Sequence, residues 1–288
     1  MELNEVRGSM WDWDQPPLAI RRIEAPNSGF MRGQPTNCYV LGDDPVVIID
    51  PGSETGIELI PAELEKLGSP DVQSIFLTHA HPDHATAAPE LRRQFNAPVM
   101  LHPDNAPIMK DHISWSDVDI EIDPAEPLIV GATAYQLVMT PGHAPGHVAL
   151  LERSSGVFIA GDLVSGNGTI GVFPPDGSMV EYIDSLYRAR ALNPRVLLPG
   201  HGPVIEDAPA LFDYYIERRL GREQQILDLV MDGGATVGDI LPILYPDLLP
   251  ENSYPAESTI LAHLLKLEYD GSVSRTGDDP RSDRWVAS

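Results

Sequence analysis

Cysteine occurs once in this 288-residue chain, as Cys38, so no disulfide can form within it. Its neighbours Asn37, Tyr39 and Val40 belong to an apolar run that reads as a strand. Cys38 is therefore expected as a small buried hydrophobe and not as a nucleophile. Lysine is almost as scarce: Lys66, Lys110 and Lys266 are the only three, against 43 acidic residues. The net charge of −24 opposes broad attraction to phosphate backbones or anionic lipid. No stretch approaches the ~18 apolar residues needed to span a bilayer. Met1 to Gln15 holds no apolar run of the kind that marks a secretory signal. The expectation is a cytoplasmic protein with no membrane partner. At 42% apolar and 22% charged, the composition is globular, and the chain can bury a sizeable core without disulfides.

What is present is a succession of short apolar runs separated by Gly, Pro and Asp turns. Leu18 to Ile23, Asn37 to Leu41, Val46 to Ile49, Ser74 to Leu77 and Val99 to Leu101 read as strands. So do Tyr135 to Met139, Val148 to Leu151, Val157 to Ala160 and Arg195 to Leu198. Helical spacing marks Pro61 to Leu67, Ala85 to Phe95, Met179 to Leu192 and the long Ala210 to Met231. Residues Pro103 to Pro127 read as an irregular acidic loop with short helices. Strands with interleaved helices predict α/β layers with helices outside the sheets. Beyond Gly233-Gly234, helical patterns at Val237 to Leu244 and Glu257 to Tyr269 precede a hairpin-like tail, the outline of a winged-helix module. The expected division is a catalytic unit over 1–209, a connecting helix over 210–234 and a winged-helix-like unit over 235–288.

The chemistry concentrates in Thr78-His79-Ala80-His81-Pro82-Asp83-His84, directly after a strand. His79 and His81 alternate and share a direction in extended chain, while Asp83 and His84 start the next helix and turn toward a neighbouring point. Three further elements also follow apolar runs: Thr140-Pro141-Gly142-His143-Ala144-Pro145-Gly146-His147, Gly161-Asp162 and Pro199-Gly200-His201-Gly202. Each places a His or Asp at a strand end, where a rigid sheet aims side chains into a cleft. Imidazole plus carboxylate, with no thiolate, suits Zn²⁺, and also Fe or Mn.

This arrangement resembles the metallo-β-lactamase superfamily over Asn37 to about His201. The resemblance implies a four-layer αββα sandwich and a binuclear metal centre. It implies His79, His81 and His147 on the first metal, Asp83, His84 and His201 on the second, and Asp162 between them. His143 matches a histidine that is normally not a ligand and would hydrogen-bond in support. Asp50, in Ile49-Asp50-Pro51-Gly52, either buttresses the metal loop or is a plain turn residue; both readings stand. The implied reaction is hydrolysis by a hydroxide shared between the two metals. Asp83 and Asp162 are the catalytic carboxylates, with Asp83 orienting the nucleophile and relaying a proton.

Several branches do not match. Asp162 stands where one β-lactamase class has cysteine, and His81 where flavodiiron proteins have glutamate. Only 38 residues separate Asp162 from His201, too few for the insertion of the RNA-processing nucleases. The chain is most similar to the β-lactamase-like protein 2 group. It shares Thr36-Asn37-Cys38-Tyr39, Tyr182-Ile183-Asp184-Ser185-Leu186, Pro199 to Ile205, the Arg218 to Ile226 helix and the winged-helix-like tail. That group implies either a hydrolase of small thioesters, esters or lactones, or a single-stranded RNA endonuclease. Charge favours the small-molecule substrate. Residues 235–288 hold nine acidic residues against four basic ones, whereas a duplex-reading helix needs a positive face. The tail is expected to cover the cleft or to mediate a homodimer. His112 and His263 are expected on the surface or on helix faces.

Overall fold

Strands written as unbroken apolar runs have two faces to bury, and each face here has its own core. The computed structural model describes residues 4–5, 18–27 and 34–288. The first sheet has seven strands in chain order: β1 (Asn4–Glu5), β2 (Ile20–Ala25), β3 (Thr36–Leu41), β4 (Val46–Ile49), β5 (Val72–Phe76), β6 (Val99–Leu101) and β7 (Ile120–Glu121). β1 to β4 pair antiparallel, and β4 to β7 run parallel. The second sheet holds β8 (Leu128–Val130), β9 (Thr133–Met139), β10 (Val148–Glu152), β11 (Val157–Gly161) and β12 (Val196–Pro199), in the order β12-β11-β10-β9-β8.

Alternation sorts the side chains. Tyr39, Val47 and Ile49 of the first sheet meet Leu137, Leu150, Ile159 and Leu198 of the second. Val40, Ile48 and Ile75 point the other way, onto α1 (Gly56–Lys66) and onto α3 (Ala88–Phe95), which follows the short α2 (Pro82–Ala85). Ala149, Phe158 and Leu197 pack against α4 (Met179–Ala191) and the first half of α5 (Ala208–Met231). The result is the four-layer αββα sandwich expected from the sequence. Ile226 and Val230, late in α5, join α6 (Val237–Leu244), α7 (Ser253–Tyr269) and the hairpin β13 (Val273–Arg275) and β14 (Trp285–Ala287) around the buried Trp285. This is the winged-helix unit. α5 therefore contributes to two cores, and Ala262 of α7 reaches the core under the second sheet. Among the described residues no helix is long and apolar enough to cross a membrane.

Several segments depart from the sequence reading. The helix expected over Ala85 to Phe95 is broken, because the Ala87 N–H bonds to Gly52 O, 3.0 Å away, and leaves the helical ladder. α1 begins at Gly56 and carries Pro61 inside it, where the sequence suggested a start. β1, β7 and β8 lie where no strand was expected; all three are edge strands of two or three residues.

Candidate metal centre

Asp50 ends β4 with φ 49°, in the left-handed region that Asp tolerates better than most residues. That turn aims its carboxylate along the end of β5. Oδ1 accepts from the Thr78 N–H at 2.8 Å, and Oδ2 accepts from the Thr78 hydroxyl at 2.7 Å. Oδ2 also lies 2.9 Å from His84 Nδ1. Asp50 is 2% exposed. The Thr78 hydroxyl spends its proton on Asp50 and must accept from His79 Nδ1, 3.0 Å away. The tautomers follow: His79 and His84 both carry Nδ1–H and turn Nε2 inward.

The other side chains arrive from strand ends of both sheets. His201 donates Nδ1–H to Pro35 O at 2.9 Å, and its Nε2 lies 3.3 Å from Asp83 Oδ2 and 3.5 Å from Asp162 Oδ2. His84 Nε2 lies 3.4 Å from His201 Nε2, 3.5 Å from Asp162 Oδ1 and 3.8 Å from Asp83 Oδ2. His143 donates Nδ1–H to Gly171 O at 2.7 Å. Its Nε2 then faces His81 Nδ1 at 2.9 Å and Asp162 Oδ2 at 3.5 Å. His79, His81 and His143 make one group whose ligand atoms fit around a single ion, and Asp83, His84 and His201 make another. Asp162 stands between the two groups.

One expectation is corrected. His147 does not join the first group. Its Nδ1 lies 2.8 Å from Thr140 Oγ1, and its Nε2 accepts the Asp162 backbone N–H at 3.0 Å. Both ring nitrogens are thus used by the protein, and neither lone pair is left to face an ion. His143 takes the place at the cluster that the resemblance gave to His147, and His147 takes the supporting place given to His143. Gly161 makes this close approach possible: with φ 48°, a Cβ there would sit 2.6 Å from His147 Nε2.

Electrostatics separate the two groups. Burial, helped by the surrounding imidazoles, holds His79 well below the usual histidine range. Burial likewise pulls His143 down and takes His81 down to about 3. In the second group burial acts the same way but loses. Asp162 and Asp83 lift His201 to about 10, and with Asp50 they hold His84 well above its ordinary value. Burial would raise the two carboxyls, yet His84 and His201 bring Asp83 down to about 2 and His201 and His84 bring Asp162 far below the carboxylate range. Two neighbouring carboxylates here demand positive charge, and among the described residues in contact with them the imidazoles supply it as protons. His79 Nε2 and Asp162 Oδ1 are buried with no hydrogen-bond partner, an arrangement that is unfavourable unless a ligand completes it. Neutral imidazoles, carboxylates and inward-facing orphaned atoms together fit divalent metal ions.

Other residues of the site carried little sequence signal. Asn37 and Tyr39 alternate on β3, and both donate to Pro199 O, at 2.9 and 2.8 Å, steadying the loop that bears His201. His112 is half-buried, and its Nε2–H donates to Ala80 O at 2.7 Å. Of the two positions expected for His263, surface or helix face, it takes the second: it lies on α7, is 0% exposed and is 3.4 Å from Glu223. Of the arginines on α5, Arg219 is buried and donates to Ile170 O, and Arg222 lies over the Tyr245 ring.

A family model described as the metallo-beta-lactamase superfamily matches residues 31–201, and one described as a beta-lactamase associated winged helix domain matches residues 236–285. A beta-lactamase-like protein 2 homolog of Drosophila melanogaster is 30% identical over 281 residues, covering 91% of this chain and 92% of that protein. An atrochrysone carboxyl ACP thioesterase of Aspergillus fumigatus is 33% identical over 216 residues, covering 72% of this chain and 64% of that protein. Among solved structures, a beta-lactamase domain protein from Burkholderia ambifaria shares the fold with a TM-score of 0.80 at 20% identity, covering 93% of this chain and 91% of that one.

Proposed function

Because the chain belongs to the metallo-beta-lactamase superfamily and is a hydrolase of that fold, we propose that it hydrolyses a small thioester, ester or lactone with two divalent cations, Zn²⁺ or else Fe or Mn. The observation that carries this reading is the convergence of His79, His81 and His143 beside Asp83, His84 and His201, with Asp162 between them and its Oδ1 orphaned. The first three would hold one cation, the second three the other, and Asp162 would serve both. Divalent cations there supply Lewis acidity, acidifying water and drawing electron density from a carbonyl.

The chain's own residues do the rest. Asp83 is the most exposed carboxylate of the cluster, its side chain 17% accessible and kept ionised by His84 and His201. It can accept a proton from the attacking water at Oδ2 and return it to the departing sulfur or oxygen. Asp50 and Thr78 fix the imidazoles of His84 and His79, so little reorganisation accompanies the reaction. Gly171, bonded to His143, belongs to the loop after Asp162 that walls the site.

A small substrate is favoured over RNA by the placement of the basic residues. Arg219 is buried against Ile170, Arg222 is stacked on Tyr245, and Lys266 of α7 is neutralised by Glu223 and Asp270. The relative named as an ACP thioesterase supports the thioester as the first substrate to try. The test is one parallel assay of an acyl thioester, an ester and lactone panel and labelled single-stranded RNA, with and without chelator. Chelator-sensitive thioester or ester turnover is expected. RNA cleavage lost in Asp162→Ala, with no ester turnover, reverses the assignment.

A further inference from the structure

Ala80, between His79 and His81, is held at both of its backbone polar groups by one segment of chain, the irregular stretch that follows β6. The Ala80 N–H donates to Asn105 Oδ1 at 3.0 Å. The Ala80 carbonyl accepts from His112 Nε2 at 2.7 Å. Asn105 is 0% exposed, and its amide nitrogen is also fully used, donating to Gly146 O at 3.0 Å and to His102 O at 3.1 Å. Gly146 lies in the loop that carries His143 and His147. Its φ is 63°, and a Cβ on it would come within 2.8 Å of Asn105 Nδ2, so that loop is pressed against Asn105.

One side chain thus spans the two loops that supply the first group of imidazoles. Its carboxamide oxygen fixes the rung bearing His79 and His81, from the first sheet. Its nitrogen fixes the loop bearing His143, from the second sheet. The spacing that results is 2.9 Å between His81 Nδ1 and His143 Nε2. The two loops also meet at their bases, where the Val148 N–H donates to Thr78 O at 2.9 Å, but toward the cluster it is Asn105 that bonds to both.

We propose that Asn105, seconded by His112, is the positioning residue that sets the spacing of His79, His81 and His143 and thereby the affinity of that group for its cation. This rests on the reading of the cluster as a metal centre. An asparagine is suited to the task because it offers an acceptor and two donors from one rigid plane. Aspartate, of the same shape, keeps the acceptor but turns an oxygen toward the carbonyls of Gly146 and His102.

The test is a titration of the full-length protein with Co²⁺, reading stoichiometry, affinity and the visible absorption spectrum, with far-UV circular dichroism of the metal-free protein alongside. Asn105→Asp and Asn105→Ala are expected to weaken one of two cobalt sites by about 10–100-fold, the usual scale for residues that orient metal ligands, and to alter its spectrum. The other site keeps its affinity. His112→Gln, which keeps an N–H for Ala80 O, is expected to bind as the parent does, and His112→Phe to lose affinity. Asn105 variants that stay folded and bind both ions with parental affinity and spectrum overturn the proposal, as does equal binding by the two His112 variants. Parent protein that takes up no cobalt overturns the metal reading and this inference together, which separates the two failures. Should Asn105→Ala not fold, the comparison between the two His112 variants decides.

Discussion

Two groups of titratable side chains lie buried in this chain, and they are built in opposite ways. One sits at the strand ends, from Asp50 to His201. The other joins α5 to α7: Glu223 accepts from Lys266 Nζ at 2.9 Å, lies 3.4 Å from His263 Nδ1, and Lys266 also reaches Asp270 at 2.7 Å. In the helical group one ammonium, that of Lys266, bonds both carboxylates, and burial keeps His263 below its usual range, hence neutral. In the strand-end group Asp83 and Asp162 are flanked by imidazoles and hold protons on them. The helical group carries its own cation, Lys266, and so it serves as a tie between the winged helix and the rest. The strand-end group is open, and so it is suited to take ions and substrate. Burial and residue type alone would not tell them apart; the balance of charge does.

Removing the open group's central charge has the largest expected effect. Asp162→Ala or His84→Ala should lower kcat/KM on the preferred ester or thioester by about 10²–10³-fold or more, with circular dichroism and melting temperature retained. Full turnover by either variant, at confirmed low metal content, breaks the comparison. Next come the two neighbouring histidines. His143→Ala should lose one of two bound ions by elemental analysis. His147→Ala should keep both ions and lose about 10–100-fold in activity, as expected when a group that only holds a ligand's backbone is cut. The reverse pattern restores the assignment drawn from resemblance.

The helical group should answer in stability and not in turnover. Lys266→Met should lower unfolding free energy by about 1–3 kcal/mol, the scale of a charge-assisted hydrogen bond, with kcat/KM unchanged; denaturant titration and the ester assay check both halves. The smallest effect is its pH dependence. Burial raises Glu223, but His263 and Lys266 outweigh it and bring it below the ordinary 4.5. A carboxyl depressed in the folded state binds fewer protons there than in the unfolded chain. Its stabilisation is full above pH 4.5 and fades as pH falls through the lower folded value. The gap in melting temperature between parent and Glu223→Gln should therefore narrow below that pH. A gap that widens there contradicts the sign.

Much of the fold was legible because its signals are local. Val46 to Ile49 and Val99 to Leu101 are strands with the bounds that their apolar runs suggest. The break between α2 and α3 was not legible, since it depends on Gly52, more than thirty positions upstream, capturing the Ala87 N–H. The metal loop could be read because four candidate ligands fall within six positions. Asn105 could not, because a buried asparagine in an irregular stretch differs in no local way from a surface one. The partners of His112 and His263 were hidden for the same reason: nothing beside them in the chain records what they bond to.

By itself the sequence determined which side chains reach the strand ends, since the period of a strand and the glycines after it fix direction within a few residues. It determined the layering too, because runs apolar on both faces must be covered twice. Only the tertiary structure decided which of His143 and His147 faces the cluster. The two lie four positions apart on one loop, and the choice is made by partners far away in sequence: Gly171 O orients one ring, and the Asp162 N–H occupies the other. Imidazole has two nitrogens and one proton to place when neutral, so its role is set by whichever distant group takes the first nitrogen.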